Sequence, residues 1–169
     1  MARRLKAEAL SVLGPERRPT LDDLPDMPYS RMVVEESLRL YPPFWTLSRQ
    51  VKEDDRLGDY RLPAGATVMI SPYVTHRNPR YWDNPEGFDP ERFSPERSEH
   101  RPKFAYFPFG GGPRVCVGRN MALMEAQLFL AMLVRRYSVS LSPGHKVEPS
   151  PMISLRPKNG VRMTVAAAG

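Results

Sequence analysis

The 169-residue sequence contains one cysteine, Cys116. That excludes an intramolecular disulfide and leaves a tetrahedral zinc site only this thiolate and three histidines to draw on. The histidines, His76, His100 and His145, have no metal-ligand spacing. No apolar run reaches the roughly eighteen residues of a membrane span. The paired Arg3 and Arg4 are not followed by the apolar h-region of a signal peptide. The chain is therefore expected to be soluble and cytoplasmic, with any anchor ahead of Met1 unseen. The sequence also lacks an internal repeat and any run of five or more basic residues. Its Arg3, Arg4, Arg17, Arg18, Arg135 and Arg136 are scattered, which favours a solvated surface over a nucleic-acid patch.

Apolar residues make up 41% and charged residues 26% of the chain, a composition that can bury a core and is too hydrophobic for disorder. Nineteen prolines are about twice the usual share, so much of the chain must be ordered loop. Long ordered loops are usually functional or pinned by something else, and a large flat cofactor could do the pinning. The formal charge of +6 permits a nucleic acid, an anionic membrane surface, an acidic redox protein or a cofactor carboxylate as partner.

Residues 3 to 13 carry strong helix formers with Leu5, Leu10 and Leu13 near helical spacing, and Gly14-Pro15 stops them. Thr20 followed by Leu-Asp-Asp-Leu predicts a capped short helix. Pro28 then introduces a helix from Tyr29 to Leu40, ended by Pro42-Pro43. From Thr46 to Ile70, short alternating runs broken at Gly58 and Pro63-Ala64-Gly65 predict a small antiparallel sheet with Tyr60, Val68 and Ile70 facing its core. Asn78 to Pro113 has little periodicity but holds Trp82, Phe88, Phe93, Phe104, Tyr106, Phe107 and Phe109, which must pack to stay ordered. Gly118 to Arg136 is the most apolar helix, apolar around nearly its whole circumference, which predicts burial on most sides. Strands are expected at 138–141, 150–155 and 161–165, with Lys158-Asn159-Gly160 as a hairpin turn between the last two.

Phe109-Gly110-Gly111-Gly112-Pro113-Arg114-Val115-Cys116-Val117-Gly118 leads straight into that apolar helix. Free backbone N–H groups and the positive end of the helix dipole favour a sulfur anion there. Three glycines let the loop bring its backbone close to a flat partner, and Gly118 removes a side chain beside the sulfur. Arg114, placed by Pro113, suits a carboxylate or phosphate. A cysteine before a helix is more often an inert buried residue, and a glycine-rich loop before a helix is more often a phosphate cradle or plain turn. A Walker loop, however, needs Gly-Lys-Ser or Gly-Lys-Thr at the helix start, and a dinucleotide fingerprint needs a preceding apolar strand; Tyr106-Phe107-Pro108-Phe109 is neither.

The segment resembles the cytochrome P450 cysteine signature, Phe-x-x-Gly-x-Arg-x-Cys-x-Gly, at every fixed position: Phe109, Gly112, Arg114, Cys116 and Gly118. The resemblance implies that Cys116 is the axial thiolate of haem b and its catalytic ligand. It further implies that Arg114 binds a propionate, that Phe109 packs beside the thiolate, and that the thiolate pushes electron density towards O–O cleavage. Glu36 and Arg39, at i and i+3, share a helix face and can pair, which alone carries little weight. Phe88-Asp89-Pro90-Glu91-Arg92-Phe93 resembles the family loop whose arginine joins that pair, which assigns Glu36, Arg39 and Arg92 to a buried structural cluster. By the same resemblance Arg49 is a second propionate-binding candidate. Phe44, Trp45, Thr46 and Leu47 become candidate substrate contacts, with Met152 and Ile153 as a weaker second set. His76 is expected to pack or hydrogen-bond rather than bind iron.

The fold class implied is α+β, mainly α: the C-terminal portion of the P450 fold. Its parts are the Glu-x-x-Arg helix, a small β-sheet, the cysteine loop, a buried proximal helix and a C-terminal β-hairpin, all within residues 1–169 as a single partial domain. The distal oxygen-activating helix falls outside the chain. The function implied is hydroxylation of a hydrophobic small molecule by O2, with NAD(P)H electrons arriving through a separate reductase or ferredoxin. An acidic redox partner would suit Arg119, Arg135 and Arg136. The chain alone is expected to be inactive. Alternatives are a non-catalytic haem-binding module, a peroxide-using haem-thiolate enzyme and, further off, a basic nucleic-acid-binding domain.

Overall fold

A computed structural model describes residues 1–167. The architecture is α+β and mainly helical: three long helices in contact, with four two-stranded ribbons and several one-turn helices around them. No helix among the described residues is long and apolar enough to cross a membrane.

Helix α1 (Ala2–Leu13) buries Leu5, Ala9 and Leu13, a stripe repeating every fourth residue. Leu10 falls off that stripe and is exposed, its place taken by Ala9. Gly14, at φ 63, closes the helix, and its N–H donates to the Leu10 carbonyl. A 3-10 helix, Leu21–Asp26, follows; the Asp23 carboxylate accepts from both the Thr20 N–H and its hydroxyl. Helix α2 (Pro28–Leu40) starts at a proline, and its free N-terminal donors find a partner on another helix. The Glu8 carboxylate of α1 accepts from the Tyr29 N–H at 2.7 Å, the Ser30 N–H at 2.8 Å and the Ser30 hydroxyl at 2.6 Å. A negative charge at the positive end of α2 thereby docks two helices.

After α2 come β1 (Leu47–Gln50), β2 (Asp55–Leu57), β3 (Tyr60–Leu62) and β4 (Thr67–Ile70). They form two antiparallel ribbons, β1 with β4 and β2 with β3, instead of one sheet. Tyr60 and Ile70, expected in a core, are exposed, while Val68 is half-buried. A two-stranded ribbon buries a face only if another element covers it. A single-turn helix, α3 (Pro72–Thr75), follows β4, capped by the serine before it. The stretch from Asn78 to Pro113 contains a second, α4 (Pro95–Ser98), capped in the same way, and a 3-10 turn at Pro90–Phe93. Its aromatics do pack: Phe93 meets Tyr106 edge-on at 4.8 Å, and Trp82 lies against both. Phe88 and Phe104 stay exposed.

Helix α5 (Arg119–Arg136) lies on α1 and α2. Ala131 joins Ala9, Leu13 and Met27 in one core cluster, while Leu130 and Val134 pack against Leu5, Tyr29 and Val33 in a second. Burial on most sides does not hold for α5: only Leu123, Gln127, Ala131 and Arg135 are buried, and Met121, Phe129 and Met132 are exposed. The elements that touch α5 approach from one side, so a helix apolar all round is covered along a single every-fourth-residue stripe. The C-terminal pairing also differs from expectation. β5 (Tyr137–Leu141) pairs with β8 (Met163–Ala167), and β6 (Pro149–Pro151) pairs with β7 (Leu155–Pro157). The segment 150–155 thus contains its own turn at Met152–Ser154, and Lys158-Asn159-Gly160 joins no hairpin between 150–155 and 161–165. Prolines at 149, 151 and 157 leave that ribbon short, because they supply no N–H to a ladder.

Met27 has no exposed surface and sits in the α1–α5 core, while Met69 is mostly exposed. Met27→Ala should lower unfolding stability by about 2 to 5 kcal/mol and Met69→Ala by no more than about 0.5 kcal/mol. Urea denaturation checks this, and equal losses would contradict the assigned core.

Candidate functional site

Glu36, Arg39 and Arg92 form a buried charged cluster. Arg39 grips the Glu36 carboxylate bidentately, Nε to Oε2 at 2.7 Å and Nη2 to Oε1 at 2.9 Å. Its remaining donors reach into the loop beyond α3: Nη1 to the carbonyls of His76 at 2.8 Å and Pro85 at 2.7 Å, and Nη2 to that of Gly87 at 3.0 Å. A guanidinium has five N–H donors, and each has an acceptor here. Glu36 also accepts from the Asp89 N–H at 2.8 Å, and Arg92 Nε stands 3.5 Å from the same carboxylate oxygen. Arg92 Nη2 donates to the Asn84 carbonyl at 2.9 Å. One turn of α2 thus fixes residues 76 to 92.

His76 carries the constraint onward. Its Nδ1 lies 3.2 Å from the Arg39 carbonyl, and its Nε2 accepts the Phe107 N–H at 2.9 Å. Because Nε2 accepts, Nδ1 carries the proton, and the ring is neutral in the fold. Its rings contacts are Tyr106 and Phe107, at 5.2 and 5.3 Å. Burial, the dominant cause, pushes the His76 pKa down to about 4; the neighbouring Arg39 and Arg77 charges push the same way, and the hydrogen bond to the Arg39 carbonyl opposes them. Tyr106 in turn donates its hydroxyl to the Glu35 carbonyl at 3.0 Å. Glu35 itself, whose carboxyl is pushed upward by burial despite the nearby Arg31 and Arg119, borders a small cavity of about 60 Å³ beneath residues 106–110. His76 thus packs and hydrogen-bonds, as its residue type led us to expect; its partners, and the place of Glu35, depend on contacts across the fold that nothing local signals.

The loop so anchored presents Cys116, which is exposed. The Cys116 N–H donates to the Phe109 carbonyl at 3.0 Å, closing the loop on itself, and α5 begins three residues later. Gly110 and Gly112 hold φ of 75 and 67, a backbone that side chains rarely adopt. At Gly111 a Cβ would meet the ring of the exposed Phe104 at 2.7 Å, so a larger residue there would have to displace that ring. A Cβ at Gly118 would lie 3.8 Å from the Cys116 sulfur, an ordinary contact, so room beside the sulfur does not by itself demand glycine. Cys116 opens on a cleft of about 330 Å³ whose apolar wall includes Pro43, Phe44, Leu47, Pro108 and Phe109. Arg114 and Arg49 stand on the same cleft. Arg114 has no carboxylate partner among the described residues, and Arg49 spends one donor on the Ser48 carbonyl. A thiol, an apolar wall and two guanidinium groups therefore converge.

Of the other residues singled out, Phe44 and Leu47 border the cleft, whereas Trp45 and Thr46 do not. Trp45 donates its indole N–H to the Met152 carbonyl at 2.8 Å, which brings the two candidate substrate segments together, and Ile153 beside it is almost fully exposed. Arg135 is no surface charge: it is buried, with Nη1 donating to the carbonyls of Gly14 and Arg17. Arg119 and Arg136 remain exposed. No cluster of three or more His, Cys, Asp or Glu that could hold a metal ion occurs among the described residues.

Comparison with known proteins matches residues 1–165 to the family model described as Cytochrome P450. The chain is 43% identical over 151 residues to cyclooctatin synthase of Streptomyces melanosporofaciens, covering 89% of this chain and 33% of that protein. It is 41% identical over 157 residues to cytochrome P450 4A12 of Rattus norvegicus, covering 92% of this chain and 30% of that one. Among solved structures it matches retinoic acid bound cyanobacterial CYP120A1 with a TM-score of 0.92 and 34% identity, over 99% of this chain and 38% of the other. The chain thus spans about a third of the length of the curated relatives it matches.

His76 is neutral when folded, and its pKa, about 4, lies below the ordinary 6.5. Its contribution to stability is complete above pH 6.5 and falls as the pH drops towards 4, where the unfolded chain takes up a proton that the folded chain refuses. About 3 kcal/mol should be lost across that window. Urea unfolding across it should show this loss in the parent and not in His76→Gln; identical pH profiles would contradict the assignment.

Proposed function

The chain belongs to the cytochrome P450 family, and from that we propose that it forms the thiolate side of the haem site of a monooxygenase. The observation that carries this reading is the convergence on one cleft of an exposed Cys116, an apolar wall and the guanidinium groups of Arg114 and Arg49. Those residue types fit haem b: a thiol for the iron, an apolar surface for the macrocycle and two cations for the propionates. Haem, when bound, supplies the iron at which dioxygen is reduced and its O–O bond broken.

The chain's own contribution is to hold the Cys116 sulfur at a fixed place. The backbone bond from Cys116 to Phe109 and the positive φ at Gly110 and Gly112 shape the loop. α5 begins three residues after Cys116, so the positive end of its dipole lies close along the chain to the thiol. Arg114 and Arg49 would orient the cofactor through its carboxylates. Phe109 would pack beside the sulfur and exclude water from it. On the cleft edge, Phe44 and Leu47 suit a hydrophobic organic substrate, with Met152 and Ile153 nearby through the Trp45 bond. Electrons would come from NAD(P)H through a separate reductase or ferredoxin, and the exposed Arg119 and Arg136 suit an acidic donor.

Reconstitution with haem, reduction and addition of carbon monoxide provide the test. The parent chain should give a strongly red-shifted Soret band, and Cys116→Ser should lose it while keeping the parent far-ultraviolet circular dichroism, since the side chain is exposed. A variant that retains the band would refute Cys116 as the ligand.

A further inference from the structure

A second cleft, of about 450 Å³, lies away from Cys116 and is lined by residues 80–83, 92, 97 and 100–102. Four guanidinium groups reach it, those of Arg80, Arg92, Arg97 and Arg101, together with the His100 ring. They arrive from three segments: the turn after α3, the 3-10 turn at Pro90–Phe93, and α4 with the chain that follows it. Asp83 is the one carboxylate among the lining residues.

The charges are not matched. Arg92 shares Glu36 with Arg39, and Arg97 is paired with Asp89 at 2.7 Å. Neither Arg80 nor Arg101 has a carboxylate within ion-pair distance among the described residues. Arg101 is half-buried and held by stacking, its guanidinium carbon 4.4 Å over the Trp82 ring and 4.8 Å over that of Phe93, with one donor on the Arg92 carbonyl. Burial is the largest influence on Arg101 and lowers its pKa; the Glu35 and Glu36 carboxylates oppose it from beyond ion-pair distance. Trp82, also on the wall, is buried with its indole N–H unpartnered. The cleft is therefore rich in donors and poor in acceptors. The complement is a compact species with several acceptor oxygens and more than one negative charge.

We propose that this cleft is an oxyanion site for a phosphoryl group, either free phosphate or a phosphate monoester on a small organic body. Arg80 and Arg101 provide the uncommitted charge, Arg101 being pre-positioned by its aromatic stack so that little side-chain freedom is lost on binding. The cleft is larger than phosphate alone needs, and Tyr81 on its rim offers a ring for an esterified body.

Isothermal titration of the chain with inorganic phosphate and, separately, with a nucleoside monophosphate tests this, at constant ionic strength set with chloride. At least one should bind saturably, one per chain, with a Kd of about 1 mM or tighter. Tighter binding of phosphate would identify a free-anion site, and tighter binding of the ester a monoester site. Arg80→Gln, an exposed position without side-chain partners, should weaken binding about tenfold, and adding Arg101→Gln should weaken it tenfold further. Retention of the parent circular dichroism by Arg80→Gln separates this loss from misfolding. Absence of saturable binding of either probe, or binding unchanged in Arg80→Gln, would overturn the proposal. The readout involves no haem, so its failure leaves the Cys116 reading untouched.

Discussion

Arg39 is the residue on which the rest of the structure depends. A buried guanidinium is stable only when its donors are met, and this one meets all five, two on Glu36 and three on carbonyls far along the chain. Burying an ion pair gives little net stability compared with an apolar pair of the same shape, but removing one partner strands the other at about 3 to 5 kcal/mol. The cluster's value is geometric. It holds residues 76 to 92, a stretch with almost no regular structure, in one place against α2.

From there the constraint passes through His76 to Phe107, and so to the chain that carries Cys116. Each link uses a backbone group, the Arg39 carbonyl and the Phe107 N–H. The loop's shape thus depends on the cluster more than on its local sequence, except at Gly110 and Gly112, whose positive φ other residues rarely adopt. A loop that must present an exposed thiol on an apolar cleft cannot bury its own core, so its order comes from neighbours.

Much of this was legible in the residues. The signature from Phe109 to Gly118 singled out the loop that the structure places on an apolar cleft, and the Glu36–Arg39 spacing became informative once paired with the loop around Arg92. Helix limits followed from Gly14, Pro28 and Pro42. What was illegible depended on which surfaces meet. The all-round apolar character of α5 predicted burial on most sides, but apolar character says what a helix could bury, and only contacting elements decide what it does bury. Strand pairing failed for a related reason: 161–165 alternates well, yet alternation cannot show that its partner is Tyr137–Leu141 and not the adjacent 150–155 segment. Arg135 read as a surface charge because nothing local reveals the Gly14 and Arg17 carbonyls that receive it.

Amide hydrogen exchange in Arg39→Lys, which keeps the charge and removes the fork, tests most directly whether the cluster holds the cysteine loop. The Phe107 and Cys116 amides should lose protection by tenfold or more while the buried stretches of α1 and α5 stay as in the parent. Unchanged protection at those two amides, or an equal loss throughout α1 and α5, would contradict the account.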